Sequence, residues 1–146
     1  MTSKILIIDD EDDLREMLRY MLEGDQYEVF DADRGITGIE IAKKEKPLLV
    51  ILDLLMPEMS GYEVWRELKK EDETKDIPVL ILTCKRQSED RFWGASMSQK
   101  NFITKPYDPR KLSQRVRDLV QARILRLQEE AGESAAADDS KPESKS

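Results

Sequence analysis

The chain has 146 residues, 39% hydrophobic and 38% charged, which is enough for one domain with its own core and an appendage. A net charge of -7 argues against nucleic acid as a partner, because phosphate backbones are bound by concentrated basic faces. With no histidine and one cysteine, Cys84, the composition excludes an internal disulfide, a thiolate metal site, a histidine zinc ligand, the serine–histidine triad and a phosphohistidine of its own. No run approaches the ~20 apolar residues of a membrane span and the N-terminus lacks a basic-then-apolar leader, so the cytoplasm is the expected compartment.

Short apolar runs alternate with longer amphipathic ones. Lys4–Ile8 reads as a buried strand. Leu14, Met17, Leu18, Met21 and Leu22 then repeat with helical spacing, and Gly24 is the expected C-terminal cap. A strand over Tyr27–Asp31, a helix over Gly35–Lys44 and a strongly apolar strand over Leu48–Leu52 follow. After a turn through Met56-Pro57 come a helix over Gly61–Lys70, a polar loop ending at Pro78 and a strand over Val79–Leu82. Ser88–Gln99 should hold a helix of poor periodicity, and Asn101–Thr104 a short fifth strand. Pro109 suits the first turn of a last helix, striped by Leu112, Val116, Leu119, Val120, Ile124 and Leu127. The domain is expected over residues 1–130, with its last helix extended. Residues 131–146, too poor in apolar side chains to order themselves, form a disordered tail. Nothing resembles an output domain.

Five strand–helix units in alternation predict an α/β fold, a doubly wound parallel sheet with helices on both faces. Ligands bind such sheets at the carboxyl ends of the strands. There the sequence puts Asp9, Asp10 and Glu11, then Asp53, then Thr83, then Lys105-Pro106. Two unit charges ~4 Å apart repel by about 4 kcal/mol at an effective dielectric of ~20. Three clustered carboxylates therefore require cations. Lys105 is one, and an all-oxygen donor set favours Mg²⁺ as the other. A carboxylate beside such an ion suits phosphoryl chemistry on aspartate. As separate residues, the acids would serve as helix caps, Thr83 as an ordinary strand end and Lys105 as a solvated surface charge.

The strand end Ile-Ile-Asp9-Asp10-Glu11, the stretch Leu52-Asp53-Leu-Leu-Met-Pro57-Glu-Met-Ser-Gly61, the Leu82-Thr83 strand end and Thr104-Lys105-Pro106 together resemble bacterial two-component response-regulator receiver domains over about residues 4–125. The resemblance implies a flavodoxin-like sheet of order 2-1-3-4-5. It implies that Asp53 accepts a phosphoryl group from a histidine kinase or phosphotransfer protein. Asp10, Asp53 and the Leu55 backbone carbonyl would hold Mg²⁺, with Asp9 assisting directly or through water. Lys105 would pair with phosphoryl oxygens and precede a cis proline. Thr83 would swing to the phosphoryl group while Phe102 turns inward, remodelling the face of the fourth helix, fifth strand and fifth helix for a downstream protein. A chain of this kind is a signalling switch and not a turnover enzyme.

Several positions depart from the family pattern. Cys84 stands where a very small residue is common, and reads as a buried apolar side chain rather than a redox group. Phe102 replaces the frequent tyrosine. Met97–Asn101 replaces a glycine-containing turn. The stretch Arg86–Gly94, with Phe92 and Trp93, is similar to receivers of twitching-motility chemosensory pathways, although the same aromatics serve equally well as packing. The stripe beyond Leu119 allows a homodimer or partner contact. Two other classes compete with a stand-alone receiver. One is a non-phosphorylated pseudo-receiver scaffold, against which the complete acidic set counts. The other is an aspartate-nucleophile phosphatase, which would place a second acid where Leu55 stands. An apolar Leu55 beside the phosphoryl group is expected to slow autodephosphorylation.

Overall fold

The computed structural model describes residues 2–84 and 102–140, with the side chains of 83–84 and 134–140 excepted. The helix expected within Ser88–Gln99, the replaced turn at Met97–Asn101 and the Arg86–Gly94 stretch lie outside the described residues. The elements run β1 (Lys4–Ile8), α1 (Asp12–Gly24), β2 (Glu28–Ala32), α2 (Gly35–Glu45), β3 (Leu49–Asp53), α3 (Gly61–Lys70), β4 (Val79–Cys84), β5 (Phe102–Lys105) and α4 (Pro109–Ser140). The sheet has the order β2-β1-β3-β4-β5 with every pairing parallel, the flavodoxin-like arrangement expected from the resemblance.

Strand side chains alternate between faces, and the alternation divides the core in two. On one face Ile5, Ile7, Leu49, Ile51, Leu80 and Leu82 meet Leu18 and Leu22 of α1 and Leu112, Val116 and Val120 of α4. On the other, Leu6, Ile8, Val50, Leu52, Val79 and Ile81 meet Ala42 of α2 with Val64 and Leu68 of α3. A strand covered on both faces must be apolar throughout, which is why β3 carries an unbroken run and is buried along its length. Each such side chain contributes about 1.5–3 kcal/mol by leaving water. This packing fixes the height at which β1 and β3 end, and so where Asp9 and Asp53 stand.

Local chemistry sets the element ends. Gly24 is the last residue of α1 and not its left-handed cap. Gln26 takes that conformation, with φ 72°. Its N–H donates to the Glu23 carbonyl at 2.9 Å and the Tyr27 N–H to the Leu22 carbonyl at 3.1 Å, satisfying two terminal carbonyls. Packing of Tyr27 against the α1 side of the core holds the turn, so glycine is not required there. α3 opens with a capping box, in which Ser60 Oγ accepts the Glu63 N–H at 3.2 Å. Gly61 follows because a Cβ there would strike the Asp53 carbonyl oxygen and the Leu54 Cα, both backbone.

α4 starts at Pro109, as the sequence predicts, and continues past residue 130 to Ser140. Residues 131–133 are exposed, so this extension rests on intrinsic helix propensity and not on burial. Packing of the helix against the core ends near Ile124, well before the helix does. Among the described residues, no helix is long and apolar enough to cross a membrane.

Candidate functional site

The carboxyl ends of β1 and β3 lie side by side, because Ile8 pairs with Leu52 in the central register. Asp9 and Asp53 therefore leave the sheet together, and Asp10 joins them from the loop before α1. One carboxylate oxygen from each of Asp9, Asp10 and Asp53 lies within 4.8 Å of the others. Asp9 is 1% exposed and Asp53 4% exposed, which is rare for acids without partners. Lys105 arrives from the end of β5, its Nζ 3.3 Å from Asp53 Oδ1. The Lys105–Pro106 bond is cis. Asp53 pairs in register with Leu82, Thr83 with Thr104, and Cys84 with Lys105, so Thr83 occupies the adjacent strand end. Phe102, at the start of β5, is half-buried against the α2 and α3 side of the core.

The charges behave as a crowded, dry cluster should. Burial pushes the Asp9 carboxyl from 3.8 up to about 7; the Glu11 N–H opposes this, the Asp53 charge adds to it and Lys105 offsets part. Asp53 is also raised, first by burial, while Lys105 and the Leu55 N–H hold it down and Asp10 pushes it up. Asp9 Oδ1 accepts the Glu11 N–H at 2.9 Å. Its Oδ2 is buried and has no hydrogen-bond partner among the described residues.

Helix capping does not account for the acids. Glu11 is the N-cap residue of α1 and its side chain makes no capping bond. An all-oxygen set, a deficit of positive charge and an orphaned buried carboxylate oxygen together fit a hard divalent cation. Asp9, Asp10, Asp53 and Lys105 thus converge as the sequence reading expects. Leu55 differs from a residue packed into the site. Its side chain is 63% exposed, at the rim.

Two residues escaped the sequence reading. Arg15 donates to the Asp9 backbone carbonyl at 2.9 Å and to Asp12 at 2.7 Å, pinning the loop that carries Asp10. On the sequence it is one more charge on an amphipathic helix. Tyr107 brings a buried hydroxyl near the acids, and its phenol is pushed up to about 12, first by burial and then by Asp9, Glu11 and Asp53. Its only sequence signal was its place directly after Lys105-Pro106.

Protein PilH of Pseudomonas aeruginosa is 39% identical over 106 residues, covering 73% of this chain and 88% of PilH. The chain spans about half the length of the transcriptional regulators it matches, such as 48% of the probable regulator ycf27 of Porphyridium aerugineum. The solved structure of chemotaxis protein CheY4 of Vibrio cholerae superposes with a TM-score of 0.74 at 27% identity, over 82% of this chain and 99% of CheY4. The receiver domain of the sensor histidine kinase PA1611 of Pseudomonas aeruginosa, solved with magnesium in its active-site cleft, shares the fold at 20% identity and a TM-score of 0.73, over 83% of this chain and 99% of that one. The model of the response regulator receiver domain matches residues 5–117, and the chain belongs to that family.

Proposed function

We propose that this receiver is a phosphorylation-driven switch in which Asp53 accepts a phosphoryl group from the phosphohistidine of a histidine kinase or phosphotransfer protein. The observation that carries the proposal is the convergence of Asp9, Asp10 and Asp53 within 4.8 Å of one another, with Lys105 3.3 Å from Asp53. Asp10, Asp53 and the Leu55 backbone carbonyl would hold Mg²⁺, with Asp9 binding it directly or through water. When bound, the ion supplies positive charge to the phosphoryl oxygens as the transition state spreads negative charge over them.

The protein groups do the rest. An Asp53 oxygen forms the new bond to phosphorus as the nitrogen–phosphorus bond of the donor breaks, its electron pair returning to the imidazole. Lys105 offsets charge on Asp53 beforehand and on the phosphoryl oxygens afterwards. Burial of Asp53 keeps competing water away from the nucleophile. The Thr83 hydroxyl then engages the phosphoryl group and Phe102 moves inward. The surface of β5, α4 and the helix expected before β5 changes for a downstream protein. Such a device needs a bias of only a few kcal/mol between two states.

The switch turns over no separate substrate. The likeness to the chemotaxis protein CheY4 supports a motility pathway, in keeping with the Arg86–Gly94 resemblance.

Incubation with acetyl phosphate and Mg²⁺, read by intact mass, tests the proposal. One added phosphoryl group is expected on the wild type, and none on Asp53→Asn or in EDTA. A wild type that takes none, yet still captures its partner without metal, establishes the scaffold reading instead.

A further inference from the structure

Two buried polar atoms at the rim of the acidic cluster lack partners, and they are complementary. Tyr107 Oη is a potential donor and Asp9 Oδ2 a potential acceptor; neither has a hydrogen bond among the described residues. Leaving such atoms unpaired is unfavourable, and proteins seldom do so without a ligand or water to join them. Asp9 Oδ1 already accepts the Glu11 N–H at 2.9 Å, so Oδ2 is the oxygen that remains for another contact.

Packing does not explain the hydroxyl. The Tyr107 ring lies against the core between the sheet, α1 and α4. Phenylalanine would fill that space without burying an oxygen. The hydroxyl of this otherwise apolar ring is buried, and Asp9, Glu11 and Asp53 all act on it electrostatically. The carboxylates supply acceptors, and the buried hydroxyl is screened from bulk water.

We infer that Tyr107 is a positioning residue of the acidic site, its hydroxyl holding the free oxygen of Asp9 through one bridging water that also belongs to the shell of the bound cation. The inference rests on the Mg²⁺ reading above. A water joining a phenol donor to a carboxylate acceptor needs little room and satisfies both atoms. Held in this way, Asp9 presents the same oxygen to the cation each time it binds. Outer contacts of this kind commonly change metal affinity by about 10-fold or more.

The test uses the full chain and MgCl₂ alone. Calorimetric titration compares wild type with Tyr107→Phe, which keeps the ring and its packing. In parallel, ¹³Cζ-labelled tyrosine is followed by NMR in the wild type, the Tyr107 resonance being assigned by its loss in the variant. Magnesium affinity is expected to fall about 10-fold in Tyr107→Phe, and the wild-type Tyr107 resonance to shift with the same midpoint as the heat. Equal affinity in the two proteins, or an unmoved Tyr107 resonance while wild type binds Mg²⁺, overturns the role of Tyr107 and leaves the metal site standing. A wild type that binds no Mg²⁺ overturns both readings. Should the variant fail to fold, the Tyr107 resonance is assigned instead as the one that survives in Tyr20→Phe, Tyr27→Phe and Tyr62→Phe, and it still decides.

Discussion

Replacing Asp9 by asparagine in the metal-free protein should stabilise it, and increasingly so as the pH rises. The Asp9 carboxyl is raised from 3.8 to about 7 by its burial. The folded state therefore keeps a proton that the unfolded chain releases. Stability from this source is complete below the unfolded pKa and is lost as pH rises through the folded one. The shift of about 3 units is worth roughly 4 kcal/mol at alkaline pH, at 1.36 kcal/mol per unit. The Asp9→Asn amide would retain an oxygen for the Glu11 N–H and remove the charge. Urea unfolding in EDTA from about pH 5 to about pH 8 should show the variant's advantage growing by roughly 2–3 kcal/mol. Some slope should persist in both proteins, because burial raises Asp53 as well. Saturating Mg²⁺ should narrow the gap by stabilising the wild type, by about 2.7 kcal/mol at a hundredfold excess over Kd. A difference that stays flat or closes with rising pH would refute the reasoning, since the desolvated charge would then not sit on Asp9.

Three further outcomes follow from the same geometry. Lys105→Met removes the ion pair to Asp53; carbon-detected NMR should show the Asp53 carboxyl titrating still higher, and phosphorylation by acetyl phosphate should slow roughly 10- to 100-fold, the worth of one charge-assisted bond of ~1.5–3 kcal/mol. Gly61→Ala forces a methyl group onto the Asp53 carbonyl and Leu54 Cα and should cost about 1–3 kcal/mol in urea unfolding, so unchanged stability would mean that the β3–α3 loop yields freely. Phospho-Asp53 should persist for minutes or longer, since Leu55 offers attacking water no hydrogen bond; a lifetime of seconds, timed by loss of the added mass, would show that its exposed side chain at the rim leaves the path open.

The legible parts of this chain are those where one physical requirement dominates. Strands covered on both faces must be apolar, so β1, β3 and β4 announced themselves and their first polar residues marked the site. Parallel pairing then brought Asp9, Asp53 and Lys105 to one edge, although they stand far apart along the chain. Element ends were harder, because tertiary contacts decide them. Gln26 adopts the left-handed turn that Gly24 was expected to supply, with Tyr27 anchored in the core beside it. The reach of α4 to Ser140 was hidden, since an exposed helical extension needs no apolar pattern. Arg15 and Tyr107 were illegible for another reason. Arg15 meets the Asp9 carbonyl only once α1 has folded against the end of β1, and Tyr107 comes under the influence of the acids only once β5 has paired with the sheet.

The central claim is that Asp53 becomes a nucleophile in a cluster of acids made tolerable by a divalent cation and a lysine. Its most direct test is chemical trapping: treat the protein with acetyl phosphate and Mg²⁺, reduce with borohydride and map the peptides. Homoserine at position 53, absent when EDTA replaces Mg²⁺, is the predicted result. Homoserine at another acid, or equal trapping without metal, would contradict the account.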